Sequence, residues 1–321
     1  MNPSLVLTGI SKRYGTMTAV DQLSLTAMPG QLLGFLGPNG AGKTTTIRMI
    51  MSILYPDEGE INILGASRAI DIKDRIGYLP EERGLYRKMT VERTLHFLGS
   101  LKGLHGARLK ERIDAGLALV GLQDWRKRNV EALSKGMQQK LQFVATVLHE
   151  PELVILDEPF SGLDPLNRDL LEKLMIDLRN RGKTVIFSTH QMEQAERLCD
   201  RIVLINRGRK LIEGTMAEVR RQFSTRVLNI MGHGDLSSLA ELPGIAFANI
   251  TAGNARLELA EQTDPQDILK AAIARARIDH FAIESPDLQQ IFIKLVEQDG
   301  GGMRSVSGTQ GVTSPAREVL R

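Results

Sequence analysis

The chain has 321 residues, 42% hydrophobic and 25% charged, a composition that suits more than one ordinary domain and a sizeable buried core. The net charge of +3 comes from scattered bases, apart from the run Arg126, Lys127 and Arg128, which reads as a solvated helix end; with aromatics at 4%, recognition of nucleic acid by base stacking is not expected. Its single cysteine, Cys199, excludes an internal disulfide, no apolar run approaches the ~18 residues of a membrane span, and MNPSLVLTGI lacks a signal-peptide pattern, so the chain is expected to be cytoplasmic.

In chain order, residues 4–10 and 22–28 alternate or run apolar as strands do, and PGQ at 29–31 makes a turn. LLGFLG at 32–37 predicts a short buried strand. A helical pattern starts at Lys43 and stops before Tyr55-Pro56, and 59–65 predicts another strand. Residues 90–150 are mainly helical. LVILDEP at 153–159 and TVIFSTH at 184–190 are continuous apolar strands, and 201–214 predicts a hairpin turning at Arg207-Gly208. This alternation indicates an α/β fold with a largely parallel core sheet and a helical insertion. After about residue 222, four short strands with helical patterns in a β-α-β-β-α-β order predict a small ferredoxin-like α+β domain. The Gly- and Ser-rich stretch from Gly300 on is expected to be disordered. The expected division is 1–221 with its helical part at about 88–150, an accessory domain at 222–299, and a tail at 300–321.

GPNGAGKT, residues 37–44, fits G-x-x-x-x-G-K-[ST], a pattern expected by chance in roughly one of a hundred chains this long. It follows a buried strand and opens a helix. Gly40 and Gly42 let the backbone N–H groups of residues 39–44 wrap a phosphate chain, and the helix N-terminus favours the anion. Lys43 is placed for the β and γ phosphates and the Thr44 hydroxyl for Mg²⁺. Downstream, LVILDEP puts Asp157 at the C-terminal edge of a strand, where open α/β sheets bind ligands. Asp157 is expected to hold the water shell of the ion, and Glu158 to accept a proton from an attacking water. His190 ends the next strand, where it either serves packing or reaches a γ-phosphate. Tyr14 is either core packing or a platform for a purine ring. LSKGMQQK at 133–140 looks like a helix start capped by Ser134.

Together these residues resemble the ATP-binding cassette (ABC) ATPases over residues 4 to about 220. The resemblance makes Tyr14 the adenine-stacking aromatic, GPNGAGKT the Walker A loop, LSKGMQQ the signature and LVILDEP Walker B. SGLD at 161–164 becomes the D-loop and His190 the switch histidine. It implies a core of the P-loop, RecA-like type with an antiparallel β subdomain and a helical insertion. Nucleotide is expected on Tyr14, Gly37, Pro38, Asn39, Gly40, Ala41, Gly42, Lys43, Thr44, Thr45 and the D-loop Asp164, with Ser134 and Gly136 acting on ATP held by another chain. Thr44, Glu81 and Asp157 are the expected Mg²⁺ residues, and Glu158 and His190 the catalytic ones. In this family two cassettes close head to tail around two ATP molecules, so a dimer is implied, a homodimer first.

Two departures stand out. Lys135 and Met137 replace a glycine and a glutamine of the common LSGGQ, and Glu81 stands where the Q-loop glutamine is expected. This wording and the C-terminal appendage resemble the ATP-binding subunits of exporters of the sodium-export and antibiotic-resistance kind. The expected function is therefore ATP hydrolysis that powers an exporter of ions, drugs or other small molecules. It requires a separate transmembrane permease, no nucleic acid, and a peripheral place on the inner face of the membrane. The rival is a soluble ABC ATPase acting on ribosomes or nucleic acid. A ligand-sensing role for the C-terminal domain is compatible with the first reading.

Overall fold

The computed structural model describes residues 2–82, 84–223, 226–260, 262–284 and 286–298; the tail expected at 300–321 lies outside them. The chain begins with β1 (Leu5–Tyr14), β2 (Met17–Ala27), β3 (Leu32–Leu36), α1 (Lys43–Ile50), β4 (Glu58–Ile63) and β5 (Ile76–Leu79). Three helices follow, α2 (Val91–Leu101), α3 (Gly106–Val120) and α4 (Lys135–Val147). Then come β6 (Leu153–Leu156), α5 (Pro165–Asn180), β7 (Thr184–Thr189), α6 (Met192–Leu198), β8 (Arg201–Asn206), β9 (Arg209–Gly214) and α7 (Met216–Gln222). The last part is β10 (Arg226–Gly234), β11 (Ile245–Thr251), β12 (Asn254–Leu259), α8 (Pro265–Ile273), β13 (Ala276–Glu284) and α9 (Leu288–Gln298).

Among the described residues the strands make three sheets. The central one has the order β5-β6-β7-β3-β8-β9, parallel except for the β8–β9 hairpin. Strands β3, β6 and β7 are buried along their whole length, which is why they read as unbroken apolar runs. Their C-terminal ends lie side by side, so the loops after β3, β6 and β7 converge on one edge of the sheet. The second sheet, β2-β1-β4, is antiparallel and packs Leu5, Leu7 and Ile10 against Ile47 of α1 and Phe35.

Strand β5 was not visible in the sequence. It has four residues with a glycine inside. Gly77 is required there because a Cβ would lie 2.5 Å from the Thr146 carbonyl oxygen of α4. Helices α2, α3 and α4 form the insertion. Val91, Leu95, Ile113, Leu117 and Leu141 belong to the same core as Leu156 and Phe187, so the insertion is fused to the main sheet.

The third sheet has the order β11-β12-β10-β13, antiparallel throughout, as a ferredoxin-like β-α-β-β-α-β unit demands. Its first helix is shortened to a 3-10 turn, Ser237–Glu241. Packing divides the stretch expected as one accessory unit. The sheet, Leu239 and Ile268 share one core. Leu288 and Ile291 of α9 instead join Leu36, Ala195, Ile202, Leu204 and Val219 of the main body. Helix α9 thus returns to cover the flank of the central sheet.

Candidate functional site

The loop between β3 and α1 carries the glycine-rich run. Gly40 and Gly42 have φ of 78° and 105°, a region that side chains avoid. At Gly42 a Cβ would also lie 2.5 Å from the Ala19 carbonyl oxygen, so β2 backs the loop directly. Lys43 Nζ donates to the carbonyls of Gly37 and Pro38 at 2.8 and 3.2 Å and pairs with Glu158 at 3.3 Å. Thr44 Oγ1 lies 3.4 Å from Asp157 Oδ1, which joins the loop after β3 to the loop after β6.

Asp157 is fully buried. Burial raises its pKa, and hydrogen bonds from Ser188 and Thr44 oppose that shift. Ser188 Oγ donates to Asp157 Oδ1 at 2.6 Å and accepts from the Glu158 N–H at 2.9 Å. Ser188 therefore fixes both acids at once, and sequence reading missed it. The available signal was FSTH, in which Ser188 stands two residues before His190, near the end of β7. Glu158 has a φ of 46°, a strained position for a side-chain-bearing residue, and is 8% exposed. His190 Nδ1 lies 3.1 and 3.2 Å from its two oxygens, so it is the ring nitrogen that donates.

A cavity of about 560 Å³ opens over this edge. It is lined by Asn39, Gly40, Ala41, Gly42, Lys43, Thr44, Thr45, Glu81 and Glu158, and on its outer side by Tyr14, which is 45% exposed. Gly37 and Pro38 lie behind it, holding Lys43. Asp157 and His190 reach it through Thr44 and Glu158. The cavity suits an elongated anion: a backbone cradle and a lysine at one end, an exposed ring at the other. Asp157 Oδ2 is buried with no partner among the described residues. An acceptor-only oxygen beside a hydroxyl is what a hydrated divalent cation needs, so the residues fit Mg²⁺.

Ser134, Gly136 and Asp164 do not line that cavity. Ser134 caps α4, its hydroxyl accepting from Met137 N–H at 3.2 Å, as its position predicts. Asp164 caps α5, and the Asn167 N–H bond holds its carboxyl below the usual range. These two helix starts touch: a Cβ on Gly136 would lie 2.8 Å from Asn167 Nδ2. Gln139 Nε2 donates to the Pro159 carbonyl at 3.1 Å and Gln142 Nε2 to that of Pro80 at 3.5 Å. The signature helix is thereby tied to the loops carrying Glu158 and Glu81, a second linkage not legible beforehand.

The fold and site define an ATPase cassette. The family described as ABC transporter matches residues 20–161, and the one described as ATP-binding protein DrrA1-3-like, C-terminal domain, matches residues 214–296. The chain is 41% identical to an uncharacterized ABC transporter ATP-binding protein of Bacillus subtilis, over 91% of this chain and 98% of that one. It is 35% identical to the Nod factor export ATP-binding protein I of Sinorhizobium fredii, over 92% and 87%. A solved ATP-binding subunit of an ABC transporter superposes with a TM-score of 0.64 at 34% identity, covering 68% of this chain and 92% of that one. The chain belongs to the ATP-binding subunits of ABC transporters, ATPases that power transport. The export protein among these relatives agrees with the exporter reading rather than with its rival.

Proposed function

We propose that this chain binds and hydrolyses Mg-ATP in a homodimer and drives a separate membrane-spanning permease that exports its substrate. The observation that carries the reading is the linked set Thr44–Asp157–Ser188–Glu158–His190, with Lys43 against Glu158, on the converging ends of β3, β6 and β7. Entering phosphates draw Lys43 away from Glu158 and occupy the loop N–H groups, while Tyr14 stacks on the base. Bound Mg²⁺ would neutralise charge on the β and γ phosphates, held by Thr44 and, through water, by Asp157 and Glu81. Glu158 takes a proton from the attacking water. His190 keeps that carboxylate oriented through Nδ1, and its other ring nitrogen faces the γ-phosphate. Ser134, Gly136 and Asp164 act on ATP held by the second copy, since they lie off the cavity of their own chain.

No described helix is long and apolar enough to cross a membrane. The permease of this proposal is a separate chain, and the cassette docks on it at the inner face. Tyr86 and Phe97 form an exposed edge-to-face pair with ring centroids 5.4 Å apart, beside exposed Leu101 and the segment carrying Glu81. This patch is the proposed contact for the permease. The test is Glu158→Gln. The variant should bind ATP, lose about a thousandfold in turnover, and accumulate as a dimer of doubled mass in light scattering. The same mass with and without Mg-ATP counts against the dimer. Recovery of the tagged wild type in the soluble fraction of cells that carry the permease counts against membrane coupling.

A further inference from the structure

The nucleotide cavity is also lined by Arg207, a residue outside every motif above. Arg207 and Gly208 make the turn between β8 and β9, with φ of 48° and 81°. This is the left-handed pair of a two-residue hairpin, normally Asn-Gly or Asp-Gly. Gly208 is sterically forced, because a Cβ there would lie 2.8 Å from the Ala19 carbonyl oxygen. Nothing in the backbone asks for arginine at 207. A side chain with a Cβ is strained in that conformation relative to glycine.

The turn is fastened to the phosphate loop. Gly208 N donates to the Ala41 carbonyl at 2.9 Å, and Asp21 N donates to the Gly208 carbonyl at 2.9 Å. The next two cations of the hairpin are engaged with their surroundings: Arg209 with Asp21, and Lys210 with the Ser24 carbonyl and Glu213, each at 2.7 Å. Arg207 is exposed and makes no hydrogen bond or ion pair among the described residues. Lys43, the other cation lining the cavity, lies against Glu158, at the end where the γ-phosphate belongs. Arg207 instead adjoins Gly208, whose backbone meets Ala19, Ala41 and Gly42 just before α1 begins, in the cavity that Tyr14 also lines.

We propose that Arg207 is a nucleotide-binding residue whose guanidinium holds the α-phosphate end of the bound adenine nucleotide, complementing Lys43 at the β and γ phosphates. The inference rests on the ATPase reading and deepens it. A cation that meets the α-phosphate serves ATP and ADP alike, so it sets affinity for both.

The test is calorimetric binding of ATP, ADP and adenosine to the wild type, Arg207→Asn and Arg207→Lys. Asparagine suits the turn better than arginine, so the fold is preserved while the charge is lost; a thermal melt checks this. Arg207→Asn should weaken ATP and ADP by the same factor, about tenfold, as expected for loss of one charge-assisted contact, and leave adenosine unchanged. Arg207→Lys should stay within about threefold of the wild type. ADP affinity unchanged in Arg207→Asn overturns the assignment. So does Arg207→Lys as weak as Arg207→Asn, which would make the planar group a partner of the base. A wild type that binds no Mg-ATP overturns the ATPase reading itself; normal wild-type binding with an indifferent Arg207→Asn overturns this inference alone.

Discussion

The carboxylate of Glu196 accepts the backbone N–H of Leu288 at 2.6 Å, so a side chain of α6 caps the first turn of α9. The same carboxylate lies 3.4 Å from Arg220 of α7. Helices α7 and α9 therefore both meet α6, which begins two residues after His190. The appendage is anchored on the cassette at this joint, next to the catalytic edge.

Its first consequence is for stability. Ile291 is fully buried among residues of the main body. Ile291→Ala should destabilise the cassette by about 2–5 kcal/mol, read from urea unfolding of the chain and from the midpoint of the ATP-protected transition. Phe247, exposed on the appendage sheet, should tolerate alanine within about 0.5 kcal/mol. An unchanged cassette midpoint in Ile291→Ala would show that α9 is a passive cover.

Glu81 lines the cavity with Lys43 and Glu158. Beside a divalent cation its charge is tolerated, because the ion dominates the local field; without the ion it faces the phosphates and repels them. Glu81→Gln should therefore bind ATP more tightly than the wild type in EDTA and change hydrolysis by no more than about tenfold. Nucleotide affinity with and without Mg²⁺, measured beside steady-state turnover, decides it. Loss of turnover as complete as in Glu158→Gln would make Glu81 the base instead.

Ser188→Ala removes one hydroxyl from two acids. Asp157 loses its 2.6 Å donor and Glu158 N–H its acceptor. Leaving these buried groups unmatched should cost about 1–3 kcal/mol of stability. Turnover should fall about tenfold or more with Glu158 still present, while Ser188→Thr retains most of it. Equal loss in both variants would mean that only the size of the side chain matters.

His149 Nε2 donates to the Ile76 carbonyl at 3.1 Å, and its Nδ1 is buried without a partner among the described residues. Burial, with Lys102 nearby, pushes its pKa down from 6.5 to about 4. Below pH ~6.5 the unfolded chain takes up a proton that the folded chain refuses, so stability falls between about pH 6.5 and 4 and then levels off. The full loss is on the order of 3 kcal/mol at 1.36 kcal/mol per unit. His149→Gln, which can keep the bond to Ile76, should flatten that part of the stability profile. A wild type and variant with parallel profiles would show that His149 protonates freely in the fold.

What could be read from the sequence was local. The phosphate loop, the hairpin turn at Arg207-Gly208 and the cap at Ser134 depend on residues a few positions apart, and each announces itself through glycine, a small polar residue or an apolar run. The unread parts depend on distant segments. Strand β5 carries a glycine because α4 crosses it at Gly77, and only the packed pair shows why. Ser188 gains its role from Asp157, 31 positions away. Helix α9 carries an ordinary amphipathic pattern, which states that it has a partner but not which one.

Helix α9 is also made well after the residues of the site. Ribosomal synthesis delivers the whole catalytic constellation by Gly214, yet the flank holding Leu36, Ala195 and Leu204 is closed only by Leu288 and Ile291. At about 5–20 residues per second, the delay between those two events is roughly 4–15 seconds. During that interval the nascent chain exposes an apolar face directly behind the phosphate loop. Birth order thus makes the appendage a completion step for the cassette: a transcript or translation product truncated before residue 288 would leave a motif-complete but uncovered core, a natural target for chaperones and proteases.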